Sequence, residues 1–342
     1  MSNNNRQRNN AFDLLCGICI LRMVTLHAIC QTQLRNEAWW RETMAWTFFF
    51  MSFFFFKAGY FNKGVGGEVW PYLRDRFRRL LVPYFAWGAI GAVVAIFWLC
   101  LFPEGIQKPI AYLGKFQWLA NGFTYGNGPL WFLLCFFTTY IMTFFIERVR
   151  HLHWAVLTFP AIGYWLFTQD NPLWFCLSNV FCGTACFYLG KVWHVALDRM
   201  GKRRALAVSL VLAMGFIVAN IFVHGAYEMR TNEWVGEFWQ VMLCTLLSLL
   251  GISGVLLSLP TPRIPIINYI GQHSMVYFVM HYPIILSYAY ACILLGHERK
   301  GSIPDMLASL VLAFALCTLA VPLVERTPWL SGRSASRGKS EK

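Results

Sequence analysis

The chain has 342 residues, 57% of them hydrophobic and only 13% charged, and Lys and Arg outnumber Asp and Glu by 29 to 16 for a formal charge of +13. Soluble domains carry about a quarter charged residues, so this composition excludes an ordinary soluble fold. The basic charges lie in short segments between apolar runs about 17–25 residues long, the length that crosses a hydrocarbon core of ~30 Å, so they read as a topology signal and exclude nucleic acid as the partner.

Residues 1–10 form a polar, Asn-rich tail. The apolar run at 11–30 is too long for a signal-peptide core and lacks a small-x-small cleavage site, so it reads as the first membrane helix. Further spans are expected near 44–61, 81–102, 129–147, 154–167, 172–194, 205–223, 237–259, 269–289 and 306–325, the fifth being the shortest. With both termini on the cytoplasmic side, the inner segments hold 20 Lys and Arg and the outer loops 7. That bias predicts an all-α, multi-pass protein of the cell (inner or plasma) membrane, with about ten transmembrane helices and both ends inside. Residues 11–325 form one domain, and the basic tail at 326–342 is too short to fold alone.

Between the second and third spans, residues 68–81 read as an interfacial helix, with Val69, Leu73, Phe77 and Leu80 as an apolar stripe and Arg74, Arg76, Arg78 and Arg79 as its charge. Arg76 and Arg79 are three apart, share a helix face and suit a phosphate; anionic membrane lipid and topology explain the cluster equally well. The outer loop to Gly128 carries Tyr112, Phe116, Trp118, Phe123 and Tyr125, able to stack on sugars or to form an interfacial aromatic belt. Pro129-Leu130-Trp131-Phe132 recurs as Pro172-Leu173-Trp174-Phe175, too short a match to claim duplication. All eleven cysteines fall in or beside apolar runs, and the pairs Cys16/Cys19 and Cys182/Cys186 lack a second ligand pair, so no metal site is expected.

Ionisable groups inside spans are costly and are functional candidates by default: here Asp13, Arg22, His27, Lys57, His281 and Glu325. Asp13 and Lys57 lie near the same ends of neighbouring helices and suit a structural ion pair. A neutral imidazole is tolerable in a membrane and can take and return a proton. His27 stands ~24 Å of helix rise above residue 11 and His281 ~18 Å above residue 269, so the two rings can share a layer in the outer half.

These residues resemble a known family. Phe12-Asp13-Leu14-Leu15 with Gly17 and His27, Ala58-Gly59-Tyr60, the Arg76 to Tyr84 segment, Gly128 to Leu133, and Gly271 to Met275 through His281-Tyr282-Pro283 resemble, in order, motifs of the acyltransferase 3 family of polytopic membrane proteins. The chain departs from the pattern at Cys16, where the family usually has an Arg eleven residues before its first-helix His, at Ala58, where it has Ser, and in the extra Lys57. A fused extracellular SGNH domain, found in some members, is not expected here.

The resemblance implies an integral membrane O-acyltransferase that moves an acetyl or related acyl group from cytosolic acyl-CoA to a hydroxyl of an extracytoplasmic glycan. Taken with the ionisable groups inside the spans and the basic segment, this makes His27, His281 and Arg22 the expected catalytic residues and Arg74, Arg76, Arg79 and Lys57 the expected donor-binding group, although Arg22 and Lys57 are themselves departures from the family pattern. The alternatives are a transporter or flippase of a glycan or lipid-linked precursor, and a regulatory protein without catalysis. Against a transporter, the sequence lacks a clear pair of Gly/Pro-broken helices in matching halves.

Overall fold

A computed structural model of the protein describes residues 9–62, 68–102, 122–169 and 173–333. Helix dominates because backbone polar groups in hydrocarbon must find partners inside the chain. Eight helical runs among the described residues are long and apolar enough to cross a membrane. They comprise α1 (Asn10–Gln31); α4 (Val69–Arg76) continuing into α5 (Val82–Leu99); α6 (Trp131–Arg148); α8 (Leu177–Met200); α9 (Lys202–Phe222); α10 (Phe238–Ser258); α12 (Ser274–Leu294); and α13 (Ile303–Arg326).

The other two expected spans are built in pieces. The second consists of α2 (Ala38–Thr47) and α3 (Phe50–Tyr60), and the fifth of 3₁₀ turns over Leu152–Thr158 followed by α7 (Phe159–Thr168), where Pro160 occupies a first-turn position that needs no donor. With these pieces each of the ten expected spans has a helical counterpart among the described residues. The segment expected as a separate interfacial helix runs straight into the third span through a π-helical turn at Phe77–Leu81, next to Pro83, which has no N–H to give. A short helix, α11 (Pro265–Gln272), precedes α12, and α14 (Pro328–Ser331) follows α13.

Two ends of the bundle can be told apart by what they hold. At one, Asn10 donates to the Thr261 carbonyl, Gln272 to Asp13, and His273 and Arg333 both meet Glu325. The first and last described segments therefore lie at the same end, as an even number of traverses requires. At the other end a hairpin, β1 (Ala226–Glu228) and β2 (Glu233–Val235), pairs antiparallel with Tyr227 opposite Trp234. Its turn is anchored by Asn179, whose side chain donates to the Met229 carbonyl, and by Asn232, which donates to the Gly163 carbonyl at 2.9 Å. The charge pattern alone gave no sign of this hairpin.

Helix α1 runs through the middle: 78% of its apolar window is buried, against 28% for α9 and α13 at the periphery. Glycine lets the central helices touch by their backbones. A Cβ at Gly190 on α8 would strike the Phe56 carbonyl of α3, and one at Gly271 would strike the Asp13 carbonyl of α1.

Candidate active site

His27 and His281 come from helices far apart in sequence that pack side by side, and their ring centroids stand 5.1 Å apart with planes inclined by 37°. The His281 Nδ1–H donates to the Tyr277 carbonyl one turn earlier, at 2.9 Å. A carbonyl only accepts, so the bond places the proton on Nδ1 and leaves the Nε2 lone pair, buried and without a partner among the described residues. His27 has no hydrogen-bond partner among the described residues, and Tyr282 meets its ring edge-on at 5.1 Å.

Pro283, two residues past His281, has no N–H for the Val279 carbonyl. The side chain of fully buried Asn127 donates to that oxygen instead, at 2.9 Å. Asn127 closes a tight turn with Thr124 just before Gly128-Pro129, so the motif around residue 128 and the His281-Tyr282-Pro283 motif are tied together by one hydrogen bond. Gly126 in that turn has φ +75° and lies against the Gly91 backbone, a place without room for a side chain.

Beside the histidines lies a cavity of about 480 Å³, whose walls include His27, Tyr125, Trp131, Tyr282, Glu228 and Arg230. Of the aromatic loop expected to meet a sugar, Phe123 and Tyr125 do line it; Tyr112, Phe116 and Trp118 fall outside the described residues. Arg230 lies over the Phe123 ring, 5.1 Å from its centre. Sequence reasoning missed Arg35, Glu228, Arg230 and Glu233, which carry ordinary loop charges and reach the cavity only because the outer loops fold back over it.

Arg22 does not line this cavity. Five residues along a helix turn a side chain through roughly 140°, so it points away from His27 and into a neighbouring cavity that shares Arg35 and Glu228 with the first. Lys57 Nζ lies 2.9 Å from Cys16 Sγ, while Gln272 donates to Asp13 at 3.2 Å. Glu325 sits at the far end of the bundle, held by His273 at 2.7 Å and by both terminal nitrogens of Arg333 at 2.6 Å.

At that far end Arg74, Arg78, Arg79 and Arg333 surround a cavity of about 640 Å³, with Trp70 and Trp329 also in its wall. Asp75 collects two of the local arginines, Arg79 at 2.8 Å and Arg76 at 3.9 Å. Arg76 is nevertheless turned the other way, with its guanidinium 4.3 Å from the Tyr140 ring centre and 5.1 Å from that of Tyr72. Arg333, from the tail, is a member that sequence reasoning left out.

The geometry is that of a buried pair of imidazoles beside a cavity at one end and a basic cavity at the other. A family model described as an acyltransferase domain matches residues 9–322, nearly the whole chain. The chain belongs to the acyltransferase 3 family. No curated protein and no solved structure matches it. Within this acyltransferase 3 chain, the departure at Cys16 acquires a physical reading: the Lys57 ammonium reaches Cys16, so a cation stands at the level of α1 where the resemblance places an arginine. Among the described residues of this acyltransferase no three His, Cys, Asp or Glu side chains gather as a metal centre would require.

Proposed function

We propose that this membrane acyltransferase takes an acetyl or related acyl group from cytosolic acyl-CoA and passes it to a hydroxyl of an extracytoplasmic glycan, with the arginine end of the bundle facing the cytoplasm of a cell (plasma) membrane. The observation that carries the reading is the His27–His281 pair, 5.1 Å apart beside a cavity of about 480 Å³. His27 is the general base: it lines the cavity and is hydrogen-bonded to no described residue, so it can receive the proton of an acceptor hydroxyl as that oxygen attacks the thioester carbonyl. His281 is a positioning residue whose tautomer is set by Tyr277, and its free Nε2 offers His27 an acceptor that steadies the proton-bearing ring.

The carbonyl oxygen gains negative charge in the tetrahedral intermediate and loses it when the C–S bond breaks, and the proton taken by His27 passes to the departing sulfur so that CoA leaves as the thiol and the ring is returned neutral. Arg35 and Arg230 supply guanidinium donors in a cavity wall that also holds Glu228 and Glu233, and Arg22 adds positive charge from behind Phe50. At the other end Arg74 and Arg79, joined by Arg78 and Arg333, hold the donor phosphates through charge-assisted hydrogen bonds, and Arg76 buttresses them from the protein side. Lys57 contributes charge between the two sites. The Tyr125 and Phe123 rings give the acceptor sugar an apolar face to lie on.

The test is acyl transfer from radiolabelled acetyl-CoA by purified protein in nanodiscs, coupled to mass spectrometry of envelope glycans from cells with and without the gene. Label appearing in a glycan and lost with the gene is the expected result; a protein that moves a glycan without consuming acyl-CoA would be a flippase. Sidedness is read by an impermeant thiol reagent on a cysteine placed at position 76 of a Cys-depleted chain, and labelling from outside reverses the orientation.

A further inference from the structure

The second cavity, about 490 Å³, carries Arg22, Arg35, Arg41 and His224 in its wall and a single carboxylate, Glu228. Arg22 is the unusual member. It is 7% exposed, its Nε donates to Thr47 Oγ1 at 3.2 Å, its Nη2 meets the Met44 sulfur, and its Nη1 has no partner among the described residues. Among the described residues no carboxylate lies within salt-bridge distance of it, or of Arg35 or Arg41. The faces of Phe50 at 4.0 Å and Trp40 at 5.4 Å recover part of the cost of burying a guanidinium, but a buried cation with a free N–H calls for an anion.

We propose that the second cavity is a phosphoryl-binding site. Three guanidinium groups against one carboxylate leave a surplus of two positive charges, which matches a phosphate monoester at about −1.5 to −2 near neutral pH. The planar donor pairs of arginine fit phosphate oxygens two at a time. Arg35 and Glu228 belong to both cavities, so a phosphoryl group bound here lies next to whatever occupies the histidine cavity. Building on the acyl-transfer reading, the acceptor is then a phosphorylated sugar, held by its phosphate monoester with a hydroxyl presented to His27. An anionic phospholipid headgroup offers the same phosphate oxygens with about half the charge.

Inorganic phosphate is the probe, titrated into purified full-length protein in phosphatidylcholine nanodiscs while thermal unfolding is followed. The expected result is a saturable rise in midpoint that chloride at equal ionic strength does not give. The apparent Kd should weaken by about tenfold or more in Arg22→Gln and by a few-fold in Arg41→Gln, whose exposed side chain can be changed without disturbing the fold. Nanodiscs rich in phosphatidylglycerol separate the sources. If that lipid alone raises the wild-type midpoint and abolishes the phosphate response, while leaving Arg22→Gln unmoved, the occupant is a headgroup; if phosphate still binds there, it is a soluble or acceptor phosphate. No saturable response in either lipid, or an unchanged Kd in both variants, overturns the site. Phosphate binding without acyl-CoA consumption would leave this site standing and remove the acyl-transfer reading; the reverse pattern would remove only this site.

Discussion

The two ends of the bundle solve opposite problems. At the arginine end, three arginines close in sequence and Arg333 from far along the chain line one cavity, so that on the proposed reading each has others beside it. At the histidine end, two rings separated by most of the chain are brought to 5.1 Å by helix packing, and each lacks a replacement. A dispersed electrostatic site loses affinity by degrees, whereas a site built on one proton acceptor is all but extinguished by one substitution.

The largest expected effect tests that contrast directly. His27→Gln keeps size and hydrogen bonding but cannot take a proton, so turnover should fall by about 10²–10⁴-fold, with the thermal midpoint and acyl-CoA binding kept. A Gln variant that retains a third of wild-type turnover would falsify the assignment and return this ring to a structural role. The next effect is His281→Phe, which keeps a ring in the same packing space and removes both nitrogens. Its kcat should fall by about tenfold with the acceptor KM near the wild-type value. An equal rise in KM with no change in kcat would show that His281 holds substrate and does not steady His27.

Much of this was legible in the sequence, for identifiable reasons. Span positions follow from hydropathy, and the possibility that His27 and His281 share a layer follows from helix rise, because both are one-dimensional quantities. Azimuth is not. Arg22 lies five residues from His27 and still faces another cavity, and Arg76 parts from Arg79 where the helix widens into a π turn before Pro83. Loops that fold back are equally silent: nothing around Glu228 and Arg230 marks a hairpin whose turn is held by Asn179 and Asn232. The role of Asn127 was hidden as well, since it depends on a carbonyl left free by a proline on a different helix.

At the arginine end the expected effects are smaller and divided. Arg79 lines the cavity and is about half exposed, so Arg79→Ala should raise the acyl-CoA KM by about tenfold while kcat at saturating donor stays within about twofold. Arg79→Lys should not restore binding, because an ammonium lacks the planar fork. Arg76 is packed against Tyr72 and Tyr140, so Arg76→Ala should lower the thermal midpoint more than it raises the donor KM. Steady-state kinetics with unfolding scans on both variants decides the matter: identical behaviour would mean that the arginines act as an undivided patch.

The smallest expected effect belongs to Arg333, and it asks whether the tail takes part in donor binding or is only tied down beside it. Arg333 bonds both oxygens of Glu325 at 2.6 Å, and its side chain is 48% exposed. Only Glu325 is largely buried while Arg333 is half exposed, so this bidentate pair is worth on the order of 1 kcal/mol and is not the sole anchor of the segment up to Arg333. The tail has other anchors: the Trp87 indole N–H donates to the Leu330 carbonyl at 3.0 Å, and Gly332 lies against the Arg79 backbone, where a Cβ would collide. Arg333→Ala should therefore leave the segment up to residue 333 in place and raise the donor KM by only about two- to threefold, the loss of one screened charge among four. Glu325→Gln supplies the opposite arm, since it releases Arg333 from its carboxylate while the cation remains; the donor KM should then stay level or fall slightly. If both substitutions raise KM alike, the ion pair acts as a clamp on the tail, and the arginine end would share the dependence on single contacts that marks the histidine end.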